Sequence, residues 1–278
     1  MAEKVALTGA AATMLGTLYG RAVDARSRHP LLADPTAVDV LDRIDYDFAS
    51  LKIAASSAVG VALRAKRLDG WTRAFLAAHP AATVLHLGCG LDSRVQRIDP
   101  PPEVRWFDVD QPQVIELRQR LYAPRSGGYT TIGASVLDPG WLAQVPRGGP
   151  AIVVAEGLTM YLPTVEGPAL LRRLVEHLGT GELAFDTYST LAVRLTRRMP
   201  ILRATGARLD WGVDDPAALA GAVPGLRLAE RVGQFAAAAP DDLRRAPLSY
   251  RLECAVLGRL PWLRDIGDLL RYTFAPGG

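Results

Sequence analysis

The sequence is short of lysine, cysteine and histidine. Its 278 residues hold 3 lysines (Lys4, Lys52, Lys66) beside 29 arginines, with two cysteines and four histidines. Cys89 and Cys254 are too few for a disulfide framework or a cysteine-based metal site. His29, His79, His86 and His177 are scattered without an i, i+4 pair, so no metal centre is expected. No apolar run approaches the roughly 18–20 residues that a membrane span requires. No run of five like charges occurs, and 32 basic residues against 29 acidic ones leave a net charge of +3. The sequence pI of about 9.0 therefore rests on arginine standing in for lysine, and no nucleic-acid footprint is expected. At the N-terminus, Glu3 beside Lys4 neutralises the charged region, and Thr8, Gly9, Thr13 and Gly16 interrupt the apolar stretch. This does not read as a secretory signal. A reduced, cytoplasmic protein is the expectation.

What is present is a folded chain: 49% of residues are hydrophobic and 22% charged, which excludes intrinsic disorder. The centre alternates strand-like and helix-like segments, the pattern of a parallel sheet covered by helices. Strands are predicted at Thr83–Leu87, Val104–Val109, Tyr129–Ala134, Ala151–Ala155 and Glu182–Asp186. The first and fourth are short apolar runs suited to burial on both faces. Helices are predicted at Ala62–His79, Gln111–Tyr122 and Thr164–Leu178, the first with Leu68, Trp71, Phe75 and Leu76 on one face. A further helix is expected over Thr190–Arg208 and another within 211–225, with strands at Gly225–Gln234 and Leu269–Phe274. No repeat or long linker divides the chain. It reads as one domain: an N-terminal helical cap (1–80), a cofactor-binding core (81–189), an insertion (190–224) and C-terminal strands with a helix (225–278).

The strongest local signal is TVLHLGCGLDSR, residues 83–94. A buried strand runs into Gly88-Cys89-Gly90, where glycines allow a sharp exit and close approach of backbone to a ligand. The next strand ends in Asp108-Val109-Asp110, and the 20 residues from Gly90 to Asp110 fit an acid that accepts ribose hydroxyls. A dinucleotide fingerprint would carry a third glycine, where Ser93 stands here, and Asp92 in the loop would oppose phosphates. A cationic cofactor without phosphate, S-adenosyl-L-methionine, suits the loop better. The bland reading is a βα turn whose glycines serve packing.

The blocks TLYGRAVDARSRHPLLADPTAV, ALRAKRLDGWTRAFL, LGCGLDSR, WFDVDQPQVIELR, ASVLDPGW, AEGLTMYLP and LLRYTF occur in an order that resembles the leucine carboxyl methyltransferase family, in its bacterial branch. The resemblance covers nearly the whole chain. It implies a Rossmann-like class I methyltransferase: α/β, with a mostly parallel seven-stranded sheet flanked by helices, its last strand antiparallel. N-terminal helices and an inserted helical lid would be added to that core. It also implies S-adenosyl-L-methionine as cofactor and S-adenosyl-L-homocysteine as product. By that resemblance Arg64 grips the cofactor's methionine carboxylate, Gly88 and Gly90 form the glycine loop, and Asp110 binds the ribose. Glu156 lies under the cofactor, and a carboxylate at a strand's mouth is costly without a partner. Ser135-Val136 replaces the Asp-Leu pair that holds adenine in eukaryotic members, which leaves Ser135 or Asp138 for that contact. Arg21 is matched to the cofactor or substrate carboxylate across a gap. Asp108 shares a face with Asp110 and is either part of the site or exposed.

A carboxylate acceptor is already ionised at pH 7 and requires alignment and desolvation, whereas a phenol benefits from a base. No histidine stands in a base position, His86 reading as a core residue, so a carboxylate on a small natural product is the expected acceptor and a phenolic hydroxyl the alternative. A catalytically silent cofactor-binding protein is the other alternative. Tyr161 and Tyr188, just past the fourth and fifth strands, orient the acceptor or are ordinary half-buried tyrosines. Arg194, Arg197 and Arg198 receive an acidic substrate or form a solvated face. The N-terminal helices and the insertion would act as a lid that excludes water.

Overall fold

The computed structural model describes residues 3–5, 9–51, 53–196, 202, 205–259 and 266–275. The predicted helix over Thr190–Arg208 falls partly outside them, and so do Arg197 and Arg198.

The N-terminal segment holds β1 (Glu3–Lys4), α1 (Gly9–Ala25), α2 (Pro35–Asp42) and β2 (Ile44–Asp45), with β1 and β2 paired in parallel. Asp34 caps α2 by accepting the Ala37 N–H, and Pro35 takes the first helical position, which needs no donor. The long α3 (Ala55–Ala78) follows, starting seven residues before the predicted Ala62.

The core alternates β3 (Thr83–Leu87), α4 (Arg94–Ile98), β4 (Arg105–Asp110), α5 (Pro112–Leu121), β5 (Tyr129–Gly133), β6 (Pro150–Ala155), α6 (Glu166–Leu178) and β7 (Thr180–Tyr188). Next come α7 (Thr190–Thr196), α8 (Pro216–Ala222), β8 (Leu226–Gly233), α9 (Pro240–Arg245), α10 (Leu248–Leu257) and β9 (Gly267–Phe274). The seven-stranded sheet runs β5-β4-β3-β6-β7-β9-β8, and β9 alone is reversed. Apolar alternation seals both faces: Leu85, Leu87, Val109 and Val153 pack with α6, while Val84, Trp106 and Ile152 pack with Leu68, Trp71 and Phe75 of α3. A third cluster joins Leu15 and Leu18 of α1 to Val114 and Leu117 of α5, which seats the cap on the core. Among the described residues, no helix is long and apolar enough to cross a membrane.

One expectation fails in the insertion. Residues 207–213 form neither helix nor strand, so the helix predicted to Arg208 does not reach it. Asp210 donates its N–H to Met160 O and Val213 to Tyr188 O, while the Trp211 ring lies against Gly167, where a Cβ would collide with it. Backbone pairing and one large buried ring here outweigh helical propensity.

Candidate active site

Register builds the site. Leu87 of β3 lies opposite Val109 and Ala155, and Ala155 lies opposite Phe185. The next residue on each strand is therefore Gly88, Asp110, Glu156 or Asp186, one row across the carboxyl edge of the sheet. Strand order reverses at β3, the switch point where open α/β sheets bind ligands. Above this row opens a cavity of about 630 Å³. It is bordered by Arg21, Arg64, Gly88, Gly90, Asp110, Ser135, Val136, Glu156, Tyr161 and Tyr188, all expected at the site. Asp138 is not on its wall; it caps a short turn by accepting the Gly140 N–H.

Gly88 and Gly90 have φ of +62° and +49°, the region that favours glycine. A Cβ on Gly88 would sit 3.0 Å from a Leu158 methyl, and one on Gly90 would sit 3.2 Å from Met14 Cβ. Asp110 ends β4 and accepts the N–H of Gly90 and of Gln111, both at 2.7 Å. Burial pushes its carboxyl pKa up, and these two amides oppose the shift. Unlike Asp92, Glu156 and Asp186, it has no arginine partner among the described residues.

The floor is a buried lattice of ion pairs. Arg94 donates to Asp69 (2.7 Å), Glu156 (2.6 Å) and His86 Nε2 (3.1 Å). Because a guanidinium cannot accept, the His86 proton sits on Nδ1 and points to Asp108 at 3.0 Å. Arg97 reaches Asp34, Asp69 and Asp92. Arg21, 3% exposed, lies 3.6 Å from Asp92 and 3.7 Å from Glu156. Arg64 donates from Nε to Glu156 (3.1 Å) and from Nη1 to Asp186 (2.9 Å). Burial alone would raise the Asp92 and Glu156 pKa values; the surrounding arginines outweigh it and lower both.

Two expectations change. Asp108 is wholly buried, not exposed: it pairs with Arg118 at 2.6 Å and takes hydrogen bonds from His86, Trp106 and Tyr129. Glu156 is not a lone carboxylate at a strand mouth, since Arg64 and Arg94 both hold it, so its burial is compensated within the protein. Asp34, Asp69, Arg94, Arg97 and Asp186 escaped the sequence reading. Asp186 carried a usable signal, since it ends the predicted fifth strand as Glu156 follows the fourth. Arg94 lies inside the LGCGLDSR block, but its partners are 25 and 62 residues away.

Tyr161 donates to Thr13 Oγ1 at 3.2 Å, while the Tyr188 hydroxyl has no hydrogen bond among the described residues. Burial raises both phenol pKa values. Arg194 is not on the cavity wall.

The strand order, the reversed β9 and the glycine turn at the switch point define the class I methyltransferase fold. A solved DUF574 family protein from Streptomyces avermitilis shares that fold: TM-score 0.57 at 17% identity, over 93% of this chain and 97% of that one. The leucine carboxyl methyltransferase profile matches residues 14–128. The chain is 47% identical over 274 residues, 99% of its length and 100% of the relative's, to the tetracenomycin polyketide synthesis O-methyltransferase TcmP of Streptomyces glaucescens. It is 38% identical over 249 residues, 82% and 84% of the two lengths, to the S-adenosyl-L-methionine-dependent methyltransferase dpfgK of Gibberella zeae. The chain belongs to the leucine carboxyl methyltransferase family, whose members are S-adenosyl-L-methionine-dependent methyltransferases.

The residues present fit that cofactor. Asp110 forms no ion pair among the described residues, which leaves carboxylate lone pairs for ribose hydroxyls beside a turn whose glycines leave the backbone approachable. Asp92, expected to oppose phosphates, is itself neutralised by Arg21, Arg94 and Arg97. Arg21, Arg64, Arg94 and Arg97 face Asp34, Asp69, Asp92, Glu156 and Asp186, which leaves an acid excess suited to a sulfonium.

Proposed function

We propose that this chain methylates the carboxylate of a small natural product, an aromatic or polyketide-like acid, in the reducing cytoplasm. The observation that carries this reading is the chemistry of the cavity beyond Arg64. Tyr161 and Tyr188 stand there as phenols whose pKa burial has raised, so at neutral pH they donate hydrogen bonds and take no proton. Such groups orient an acceptor that is already ionised. Both nitrogens of His86, the histidine on the cavity wall, are engaged by Arg94 and Asp108. The tetracenomycin polyketide synthesis O-methyltransferase among the chain's relatives supports a polyketide-like acceptor.

When bound, S-adenosyl-L-methionine supplies an electrophilic methyl carbon on a sulfonium. Arg64 receives its methionine carboxylate, with Arg21 behind. Gly88 and Gly90 admit its approach to the backbone, Asp110 accepts the ribose hydroxyls, and Ser135 with Val136 borders the adenine. Glu156 holds Arg64 and Arg94 beneath. Tyr161 and Tyr188 align the acceptor, and the N-terminal cap, whose Thr13, Met14 and Thr17 line the cavity, excludes water, whereas no described residue of the 190–224 insertion lines it. The rate gain comes from alignment and desolvation. A second reading, methylation of a hydroxyl, is favoured by Glu253, which lines the cavity without an ion-pair partner among the described residues and would take the proton.

Calorimetry with S-adenosyl-L-homocysteine and NAD, followed by turnover over panels of aromatic acids and phenols, tests the proposal. Binding of the homocysteine product and turnover of acids is expected. NAD binding in its place overturns the reading, turnover confined to phenols selects the second one, and binding without any turnover leaves a silent cofactor-binding protein.

A further inference from the structure

Arg64 reaches the cavity from α3, on the far side of two strand ends. Register sets those ends level, Ala155 opposite Phe185, so that Glu156 and Asp186 stand side by side. The guanidinium bridges them, with Nε on Glu156 and Nη1 on Asp186. Its third nitrogen, Nη2, has no hydrogen bond to a described residue, and a Cβ on Gly157 would lie 3.7 Å from it. Glycine at 157 thus leaves the approach to that nitrogen uncovered.

Asp186 spends both carboxylate oxygens inside the protein. Oδ1 accepts the Gly157 N–H at 2.6 Å and Oδ2 accepts Arg64. Its carbonyl takes the Thr159 hydroxyl at 2.5 Å, so the residue is fixed at three points. We propose that Asp186 is a positioning residue: it locks the rotation of the Arg64 guanidinium so that Nη2 faces the carboxylate of the bound cofactor. The proposal rests on the assignment of Arg64 to that carboxylate. Glu156 cannot do this alone, because it contacts Arg64 through Nε, also binds Arg94, and leaves the terminal nitrogens free to swing. Burial works against the charge of Arg64, and Asp186 and Glu156 both act to restore it.

The test compares two ligands by calorimetry on the intact chain. S-adenosyl-L-homocysteine carries the amino-acid carboxylate; 5′-methylthioadenosine lacks it. Asp186→Asn should weaken the first about tenfold or more, the scale of one hydrogen bond to a charged group, and leave the second within about twofold. Arg64→Ala should weaken the first at least as much, and adding Asp186→Asn to it should cost little more. Asp186→Glu, which keeps the charge, should recover part of the loss. In turnover, Asp186→Asn should raise KM for the methyl donor more than it lowers kcat. Equal loss for both ligands would mean a structural role and overturn the proposal, and additive losses would mean that Asp186 acts on the ligand directly. If Arg64→Ala weakens the homocysteine and Asp186→Asn does not, Asp186 is no positioning residue while the Arg64 assignment stands. If Arg64→Ala changes nothing, that assignment itself fails. Should Asp186→Asn not fold, judged by its melting curve, Asp186→Glu with the same two ligands decides.

Discussion

Arg97 donates from Nη1 to Asp34 at 2.8 Å, and Ser93 gives its hydroxyl to the same carboxylate oxygen. Ser93 is the N-cap of α4, just after the glycine turn, and Arg97 lies in the last turn of that helix, while Asp34 caps α2 in the N-terminal segment. One buried carboxylate thus fastens the cap to the loop that borders the cavity. Removing it strips α2 of its cap and leaves Arg97 short of one anion in a buried setting. Asp34→Ala should therefore cost about 3–5 kcal/mol, read from urea unfolding. A loss under about 1 kcal/mol would show that the fastening does little.

Asp110 offers a sharper probe of the cavity. It pairs with no cation among the described residues, so its substitution leaves no guanidinium stranded, although the Gly90 amide loses its acceptor. Asp110→Ala should weaken S-adenosyl-L-homocysteine by about ten- to a hundredfold, the range of one or two hydrogen bonds to a charged acceptor. Its melting temperature should fall by only a few degrees. Unchanged affinity in calorimetry would remove Asp110 from the proposed ribose contact.

What the chain announced in advance follows from locality. Thr83–Leu87 was legible as a buried strand because five consecutive residues carry the signal, and Asp110 because it follows its glycine turn at a fixed distance in one βαβ unit. Strand ends shifted by a residue or two where pairing decides, as when Asp110 itself closes β4. The ion lattice was not legible: Arg94 meets Asp69 and Glu156, and Arg21 meets Asp92, across separations that have no fixed spacing. Only the fold brings them together. The non-helical 207–213 segment escaped for a similar reason, since its partners Met160 and Tyr188 lie on other elements.

The buried Asp108–Arg118 pair sets a pH dependence. Burial would raise the Asp108 carboxyl pKa, yet Arg118 and His86 lower it far below the ordinary value. A folded-state value below the unfolded one, about 3.9, gives stability that is complete above that unfolded value and is lost as pH falls toward the folded one. Asp69, Asp92 and Glu156 shift the same way, whereas Asp110 and Asp186 shift upward and oppose them. Wild-type stability should drop steeply below about pH 4. Asp108→Asn should be several kcal/mol less stable at pH 7, by about 3–5, and the gap should narrow as pH falls below about 4. A gap that stays constant from pH 7 to pH 3 would deny the charge of Asp108 any role.

The two cavity tyrosines distinguish alignment from proton transfer. If the acceptor is a carboxylate, each phenol supplies at most a hydrogen bond, worth about 0.5–1.5 kcal/mol. Tyr161 also spends its hydroxyl on Thr13, so its removal should loosen α1 as well. Tyr161→Phe and Tyr188→Phe should each lower kcat/KM by about tenfold or less, and kcat should be flat between about pH 7 and pH 9, because the acceptor has no proton to lose. Loss of a general base would instead cost about a hundred- to ten-thousandfold. A loss of that size in Tyr188→Phe, with activity rising with pH, would mean that Tyr188 takes a proton and that the acceptor is a hydroxyl. The Glu253→Gln variant, measured on the same acids and phenols, completes the comparison. It should leave the turnover of acids nearly intact, whereas a collapse restricted to phenols would identify Glu253 as the base for that acceptor.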